Sequence, residues 1–533
     1  MANSNANFAA RVAEVAARHP ARQAIVEYVD GRPRRLTFGG LAERAAALAA
    51  GLRGRGVERG HTVLLLLPSG ETDFHVALLA CLHLGAAVML VEPRIGRARL
   101  SAALAAVAPR VVIGALGLRR LTHGPVRRIP VHVHVSRGSL KRTERPAAAE
   151  SAADVEPHRP AIITVSTGET GTIKTAACSH AALRARARCA QGALAAERVD
   201  MPVLPSLVLD NLACGTTSVL PDLDPRYPRV VAAATIVHQM EVELVATSSG
   251  PPDFYERLSR WCAAKGRKLP LRALCTGGVP VSPMFARRLA DTTRGDVIVV
   301  YGTREAMPIA RIETRAMFAA MARDSHGQPP DGLCMGTPVT GLSLLLIHVT
   351  DEPIRLGPDG WTPWPVEPGA VGEVVVAGDH VVTEPVNGAE ADPTSSVHAG
   401  GRVWHRTGDA GRLDPEGRLW LMGRIRRRVQ REGRVWWSIP AETRTFKVGG
   451  ITHAAYFGVP DPRLGQRAVL CVEVPGRKLS TVERERLRAA LAPMPVDELH
   501  VIRRIPRDAR HASATDMRSL LDWVAERGPA LSA

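Results

Sequence analysis

The sequence predicts an α/β protein with a large N-terminal body of βα-layered sheets, a β-rich subdomain and a small mobile α+β cap at the C-terminus. Three observations lead to this fold class. Segments with helix and strand periodicity alternate through the first third of the chain and resume at Ala161. Short β runs replace them between residues 335 and 425, and a compact final segment of about 100 residues follows.

The first helix and strand patterns are well defined. Leu41, Ala45, Leu48 and Leu52 fall on one face of a helix for which Thr37 is the expected N-cap. A strand buried on both faces is predicted at 63–67, a helix at 71–84, and further strands at 87–91 and 111–113. Strands that alternate with helices predict a parallel sheet covered by helices. Residues 137–160 are expected to form a surface loop.

The β-rich part is predicted from short runs at 343–349, 372–376 and 418–422, separated by Gly, Pro and Asp turns. Six arginines lie between Arg424 and Arg434, and this stretch is the best candidate for a hinge. We therefore predict an N-terminal domain at 1–422 and a cap domain at 423–533.

Charge and composition limit the function classes. The 533 residues carry a formal net charge of +17, and only six of the 69 basic residues are lysine, which is typical of a GC-rich coding background. The eight cysteines contain no CxxC pair, and no apolar stretch reaches the ~20 residues of a membrane span. We expect a cytoplasmic protein without a membrane span or a nucleic-acid partner. His132 and His134 alternate on a predicted strand and are interpreted as a structural or exposed pair.

The segment from Ala161 to His180 carries the clearest chemical signal. An apolar strand leads into a loop rich in Ser, Thr and Gly that ends in one lysine, and a helix is predicted to start near Ser179. Inward backbone N–H groups, hydroxyl donors and one ammonium group can bind a polyphosphate. The candidate residues of this loop are Ser166, Thr167, Gly168, Thr170, Gly171 and Lys174.

This loop resembles the phosphate loop of the adenylate-forming superfamily, which includes acyl-CoA synthetases, luciferases and peptide-synthetase adenylation domains. Later segments resemble further motifs of that superfamily in the same order. They are Cys275–Val279 (CTGGV), Tyr301–Glu305 (YGTRE), Trp404–Asp409 (WHRTGD) and Gly417–Arg424 (GRLWLMGR). Local phrasing such as LPDLDP at 220–225 and PRDARH at 506–511 is most similar to the β-lactone synthetases of bacterial olefin and β-lactone pathways.

The resemblance implies a role for each matching residue. Lys174, Thr170 and Glu305 would be catalytic, with Glu305 also holding Mg²⁺, and Tyr301 would stack on adenine. Asp409 would bind the ribose and Arg424 would lie at the pivot between domains. The residues implied to bind ATP are Ser166, Thr167, Gly168, Gly171, Gly277, Gly278, Val279, Tyr301, Gly302, Thr303, Asp409 and Arg424.

The sequence departs from the family pattern at several positions. Glu169 replaces the usual hydroxyl residue of the phosphate loop, and Arg427 stands where many relatives have a hinge Asp. Ala514 occupies the position of the lysine that closes over the site, and an arginine such as Arg507 or Arg510 could substitute for it, although a planar guanidinium does not mimic an ammonium group. The segment 205–215 has neither the aromatic residue nor the His that gates many relatives.

The resemblance implies ATP- and Mg²⁺-dependent activation of a fatty, 2-alkyl-3-hydroxy acid, followed by closure to a β-lactone with release of AMP. Two alternatives stay open at this point. One is a fatty acyl-CoA or acyl-AMP ligase, and the other is a non-catalytic pseudo-synthetase that binds nucleotide or acyl chain as a scaffold. The implied partners are small molecules, and a multi-enzyme biosynthetic assembly would fit the family.

Overall fold

A computed structural model of the chain describes residues 6–91, 95–115, 124–135, 151–167, 173–194, 199–223, 232–322, 332–382, 394–446, 448–476, 478–507 and 514–527. The helices of these residues are α1 Phe8–Arg18, α2 Phe38–Arg53, α3 Thr72–His83, α4 Arg97–Val107, α5 His180–Leu194, α6 Pro205–Cys214, α7 Ala233–Val242, α8 Pro252–Lys265, α9 Pro283–Thr292, α10 Thr314–Ala322, α11 Ser438–Thr445, α12 Thr481–Leu491 and α13 Met517–Arg527.

The strands of the first half are β1 Gln23–Val29, β2 Arg32–Thr37, β3 Thr62–Leu66, β4 Ala87–Leu90, β5 Val111–Ala115, β6 Val131–Val135, β7 Pro160–Thr167, β8 Ile173–Ser179, β9 Val199–Pro202, β10 Thr217–Val219 and β11 Thr247–Gly250. Those of the second half are β12 Ala273–Gly277, β13 Asp296–Tyr301, β14 Ala310–Glu313, β15 Leu333–Pro338, β16 Leu342–Ile347, β17 Gly372–Gly378, β18 Ser396–Ala399, β19 Arg402–Leu413, β20 Leu419–Arg424, β21 Val429–Arg431, β22 Arg434–Trp436, β23 His453–Asp461, β24 Gly465–Glu473 and β25 Glu498–Ile502.

The predicted start of the chain is confirmed in detail. The Thr37 hydroxyl accepts a 3.1 Å hydrogen bond from the Gly40 N–H and caps α2, whose buried face includes Leu41 and Leu48. The alternating segments form a sheet in the order β6-β5-β3-β4-β7-β8. All neighbours in this sheet are parallel except β7 and β8. Apolar runs such as Val63–Leu66 are buried because helices cover the sheet.

A second sheet carries the rest of the predicted body. Its order is β16-β17-β19-β20-β15-β14-β13-β12-β11-β9-β10-β1-β2, with β18 paired to β19. Strands β9 to β13 pair parallel with one another. Strand β13 pairs antiparallel with β14, and the pairs from β14 to β20 are antiparallel as well. The predicted β-rich subdomain is therefore continuous with the parallel part, through the pairing of β14 with β15. The α/β fold class is confirmed.

The last part of the chain has a sheet and an apolar core of its own. Strands β23, β24 and β25 form this sheet, and α12 and α13 contribute Leu487 and Leu520 to two buried clusters beside it. Helix α11 instead places Ile439 in the large core that includes Trp420 of β20. The domain boundary at 422/423 stays a prediction. Within the described residues, no helix is both long and apolar enough to cross a bilayer.

The arginine-rich stretch forms ordered structure rather than an extended linker. A short 3₁₀ helix at Ile425–Arg427 is followed by the β21–β22 hairpin. Arg428 pairs with Asp351 at 2.6 Å, and Arg431 pairs with Asp497 at 3.0 Å. These arginines therefore make specific ion pairs on both sides of the predicted boundary.

Candidate functional site

The candidate site is built around a loop that leaves the carboxyl end of β13. The Ile309 N–H donates to the Tyr301 carbonyl at 2.7 Å and closes the base of this loop. Within it, Thr303 and Ala306 form a tight turn, in which the Ala306 N–H also donates to the Thr303 hydroxyl at 3.1 Å. Glu305 lies in this turn with 35% of its side chain exposed, so its carboxylate is accessible to a ligand.

Glycines keep the neighbouring strand end close to this loop. Gly277 of β12 pairs with Val300 of β13, and a Cβ on Gly277 would lie 1.9 Å from the Val300 carbonyl oxygen. Gly278 has φ +89°, a conformation that favours glycine, and Val279 follows half-buried. A Cβ on Gly302 would lie 2.5 Å from the Ala306 carbonyl oxygen. The ends of β12 and β13 therefore meet at one edge of the sheet.

Tyr301 and Arg424 both contact the Asp409 carboxylate. The Tyr301 hydroxyl donates to Asp409 Oδ2 at 2.9 Å, and Arg424 Nε lies 3.3 Å from Asp409 Oδ1. Burial and the charge of Asp409 raise the pKa of Tyr301 well above its usual value, so its hydroxyl stays a donor. Arg424 also donates from Nη1 to the Thr407 carbonyl at 2.9 Å. Residues predicted from three separate motifs are thus brought together.

His405 is a site residue that the sequence reasoning missed. Its Nε2 lies 3.4 Å from the Thr303 hydroxyl and 3.8 Å from Glu305 Oε2, and the side chain is buried. Burial lowers the pKa of His405, which favours the neutral imidazole. Its place in the segment Trp404–Asp409, which resembles a family motif, was the signal by which His405 could have been found.

The phosphate-loop segment begins with the predicted strand and contains an additional one. The predicted apolar strand is confirmed as β7, and β8 pairs antiparallel with it, with Ser166 opposite Lys174 and Thr167 opposite Ile173. Only after β8 does α5 begin at His180. Gly168, Thr170 and Gly171, like Glu169, lie outside the described residues. For Ser166, Thr167 and Lys174 the backbone alone is described.

The region of the missing lysine is anchored to the C-terminal sheet. Thr515, next to Ala514, pairs with Arg507, and its hydroxyl lies 2.8 Å from His453 Nε2. Arg507 donates to Glu473 Oε2 at 2.9 Å. Arg507, one of the two arginines that could substitute for the lysine, is therefore held by a carboxylate here. Arg510 lies outside the described residues.

Among the residues that the structure describes, the site has few candidate metal ligands. Across the described ranges, no group of three or more His, Cys, Asp and Glu side chains could hold a metal ion. His132 and His134 lie on β6 as predicted, with ring centroids 5.9 Å apart. A divalent cation at Glu305 would therefore need further oxygen ligands from a substrate or from water.

Known proteins resemble this chain over most of its length. A family model described as AMP-binding enzyme matches residues 12–384. The chain is 30% identical to an olefin beta-lactone synthetase of Stenotrophomonas maltophilia over 98% of both proteins, and 29% identical to one of Xanthomonas campestris over 92% of this chain and 91% of the other. It is also 29% identical to a feruloyl-CoA synthase of Amycolatopsis, over 81% of this chain and 82% of that protein.

Solved structures show the same fold. The ATP-bound MatB of Rhodopseudomonas palustris has a TM-score of 0.80 at 19% identity, covering 97% of this chain and 99% of the other. The amide bond synthetase McbA of Marinactinospora thermotolerans has a TM-score of 0.77 at 22% identity, with the same coverage of both chains. At these identities the likeness concerns the fold.

Proposed function

Since this chain belongs to the AMP-binding enzyme family, as an AMP-forming ligase that adenylates an acid with ATP, we propose that its substrate is a 2-alkyl-3-hydroxy fatty acid. The acyl-adenylate then closes to a β-lactone and releases AMP. The observation that carries this proposal is the similarity to two olefin β-lactone synthetases, which extends over 98% and 92% of this chain.

The nucleotide is proposed to bind at the edge formed by β12, β13 and β19. Tyr301 stacks on the adenine, with Gly277, Gly278 and Val279 against the base and Gly302 and Thr303 beside it. Asp409 accepts hydrogen bonds from the ribose hydroxyls, and Arg424 holds Asp409 in place from β20. The contact between Tyr301 and Asp409 at 2.9 Å supports this arrangement, because it fixes the two groups relative to each other before ATP binds.

The phosphates are proposed to lie against the β7–β8 hairpin. The substrate carboxylate attacks the α-phosphorus, a new P–O bond forms, and pyrophosphate leaves. The loop N–H groups at Gly168 and Gly171, the hydroxyls of Ser166, Thr167 and Thr170, and the Lys174 ammonium group offset the charge that builds up on the phosphates. The described backbone supports this, because β7 and β8 bring both ends of the loop together.

Mg²⁺ fits the donor set at Glu305. A hard cation of this kind is usually held by one or two carboxylates together with phosphate oxygens and water, rather than by a full set of protein ligands. Glu305 offers one partly exposed carboxylate, and its neighbour His405 keeps a hydrogen-bonding nitrogen 3.8 Å away. When bound, Mg²⁺ neutralises phosphate charge and so favours the attack of the carboxylate.

Closure to the β-lactone needs no external acceptor. The β-hydroxyl oxygen attacks the acyl carbonyl, a C–O bond forms, the bond from the carbonyl carbon to AMP breaks, and the hydroxyl proton passes to solvent. Covalent attachment already holds the hydroxyl beside the carbonyl. Helix α6, in the segment that gates many relatives, carries no aromatic or His side chain, which agrees with an apolar acyl substrate.

Residues 1–422 and 423–533 are proposed to act as body and cap. The cap would close over the site for adenylation and reorient for lactone closure. The arginine-rich stretch between Arg424 and Arg434 is the proposed pivot. Its ion pairs to Asp351 in the body and to Asp497 near β25 would favour one orientation over others.

A product assay tests the proposal. The protein is incubated with ATP, Mg²⁺ and a 2-alkyl-3-hydroxy acid, with and without CoA, and pyrophosphate and acyl products are followed by mass spectrometry. We expect pyrophosphate, AMP and a β-lactone without CoA. The matched control is the 2-alkyl acid without the 3-hydroxyl group, which should release pyrophosphate but form no lactone.

The alternatives predict different products. A thioester that forms only with CoA would support an acyl-CoA ligase, and an adenylate that accumulates without closure would support an acyl-AMP ligase. If no acid tested releases pyrophosphate, the β-lactone synthetase proposal and both ligase alternatives are contradicted. That result would favour a scaffold that binds nucleotide or acyl chain.

A further inference from the structure

The loop that carries Glu305 is held from outside by the segment that follows β17. His380 Nε2 lies 2.8 Å from the Pro308 carbonyl oxygen, and the Val382 N–H donates to the Glu305 carbonyl at 2.6 Å. These two contacts hold the backbone of the loop at Glu305 and at Pro308. Residues 380–382 are 72 or more positions away in sequence, so they fix the loop relative to β17.

The hydrogen-bonding state of His380 follows from its partners. The Pro308 carbonyl can only accept, so Nε2 carries the proton and Nδ1 has a free lone pair. Cys189 Sγ of α5 lies 3.9 Å from Nδ1, where its S–H can donate weakly. The His380 side chain is 4% exposed, and burial lowers its pKa, which keeps the ring neutral. The ring is therefore fixed in one tautomer and one orientation.

We infer that His380 is a positioning residue for Glu305. Its Nε2–H holds the Pro308 carbonyl and thereby sets the direction in which the Glu305 carboxylate presents its oxygens to the phosphates and to Mg²⁺. This inference rests on the proposed function, because it takes Glu305 as the group that serves the metal. Residues that hydrogen-bond a metal-binding side chain directly change metal affinity about 10–100-fold when they are replaced. Because His380 acts on the Glu305 loop through the Pro308 carbonyl, we expect the lower end of this range.

The experiment measures ATP binding as a function of Mg²⁺ concentration, by calorimetry on the full-length protein without any acid substrate. His380→Leu removes the donor to Pro308, and we expect the Mg²⁺ concentration for half-maximal ATP binding to rise about tenfold. His380→Gln keeps an N–H donor at a similar distance and should restore most of the wild-type value. If the His380 ring acts only through packing, His380→Gln should not restore the Mg²⁺ dependence of ATP binding.

His75 provides a matched control. It is fully buried in α3, its Nε2 lies 3.2 Å from the Ser69 carbonyl oxygen, and burial lowers its pKa to about 4. His75→Leu should lower the unfolding temperature like His380→Leu but leave the Mg²⁺ dependence of ATP binding unchanged. If His75→Leu and His380→Leu raise the Mg²⁺ concentration for half-maximal ATP binding equally, the inference is wrong.

Glu305→Gln separates the inference from the function on which it rests. If this variant binds ATP with the wild-type Mg²⁺ dependence, the proposed role of Glu305 is wrong. If Glu305→Gln shifts the dependence and His380→Leu does not, Glu305 keeps its role and the positioning role of His380 is wrong. Neither outcome depends on the identity of the acid, because no acid is present.

Discussion

The Tyr301 hydroxyl donates a 2.9 Å hydrogen bond to the carboxylate of Asp409, a residue 108 positions later in the chain. This bond joins the end of β13, in the parallel part of the second sheet, to β19 in its antiparallel part. Arg424 approaches the other carboxylate oxygen at 3.3 Å. Asp409 is therefore oriented from both sides, which suits a group that has to accept hydrogen bonds in a fixed direction.

Removing the Tyr301 hydroxyl tests this arrangement. Tyr301→Phe keeps the ring for stacking but removes the hydroxyl that donates to the Asp409 carboxylate, which then keeps its ion pair with Arg424. Because a hydrogen bond to a charged group contributes about 1.5–3 kcal/mol and water can replace part of it here, we expect ATP affinity to fall about three- to tenfold. Calorimetric titration with ATP measures the change.

Tyr301→Ala is the companion variant, because it removes the ring as well as the hydroxyl. We expect it to bind ATP more weakly than Tyr301→Phe, since base–aromatic stacking contributes about 1–3 kcal/mol. Equal affinities for the Phe and Ala variants would contradict a stacking role for Tyr301.

Gly277 and Gly278 are adjacent, but we expect alanine substitutions at the two positions to affect stability and ATP binding differently. A Cβ on Gly277 would meet the Val300 carbonyl oxygen at 1.9 Å, so Gly277→Ala must push β12 and β13 apart. We expect it to lower the free energy of unfolding by about 1–3 kcal/mol and to weaken ATP binding. Gly278→Ala meets nothing within 4 Å and costs about 1–2 kcal/mol through its positive φ alone. Urea unfolding and ATP titration of both variants distinguish the two causes, and normal ATP binding by Gly277→Ala would contradict the proposed base site.

Lys174 is the proposed cation of the phosphate loop. Lys174→Ala should slow pyrophosphate release about 10²–10³-fold, because a positioned donor to the developing phosphate charge is lost. Lys268→Ala, which removes an exposed lysine after α8, is the matched control and should retain the wild-type rate. If Lys174→Ala releases pyrophosphate at the wild-type rate, the assignment of the phosphate loop is wrong.

Much of the fold and part of the site could be predicted because they correspond to local sequence patterns. The helix face from Leu41 to Leu52 and its Thr37 cap follow from periodicity and cap chemistry, and both are confirmed. That Tyr301, Asp409 and Arg424 belong to one site was expected from motifs that resemble a known family, whereas the hydrogen bond from Tyr301 to Asp409 was not. Such motifs concentrate the residues of one site into a few short segments.

His405 and His380 could not be predicted in the same way. A single histidine has no periodicity, and its role depends on which distant carbonyl or hydroxyl it meets: Thr303 for His405, Pro308 for His380. The strand β8 was missed because a short polar segment after a glycine-rich loop gives a weak strand pattern. Strand β8 forms because it can pair with β7, and this pairing is not visible in the sequence of β8 alone.

Glu442 predicts a pH dependence of stability. It lies half-buried in α11, where its carboxylate accepts a hydrogen bond from the Tyr456 N–H at 3.3 Å. Burial raises the pKa of Glu442 from 4.5 to about 7, against the opposing charge of Arg427. Between pH 4.5 and about 7, Glu442 keeps its proton in the folded protein, whereas the same group loses it in the unfolded chain. The contribution to stability is therefore complete below pH 4.5 and is lost as the pH rises to about 7.

The variant Glu442→Gln isolates this effect, because the amide is neutral at every pH. We expect the free energy of unfolding of the wild type to fall relative to that of Glu442→Gln by on the order of 1–3 kcal/mol across this window, since contact with solvent reduces the effect of burial. Urea unfolding at several pH values measures the difference. A difference that stays constant with pH would show that Glu442 titrates normally.

Ala514 allows a gain-of-function test. The neighbouring Thr515 contacts His453 at 2.8 Å, so a side chain at residue 514 projects from an anchored backbone. A lysine there would supply the charged donor that the resembled family uses for adenylation, while Arg507 stays bound to Glu473. We expect Ala514→Lys to release pyrophosphate up to about 10²-fold faster than the wild type. Ala514→Met is the control, because it adds a side chain of similar length without charge, and a Lys variant no faster than Met would exclude a role for this position. Closure of a preformed acyl-adenylate to the lactone should proceed at the same rate in all three proteins, because no pyrophosphate leaves in that step.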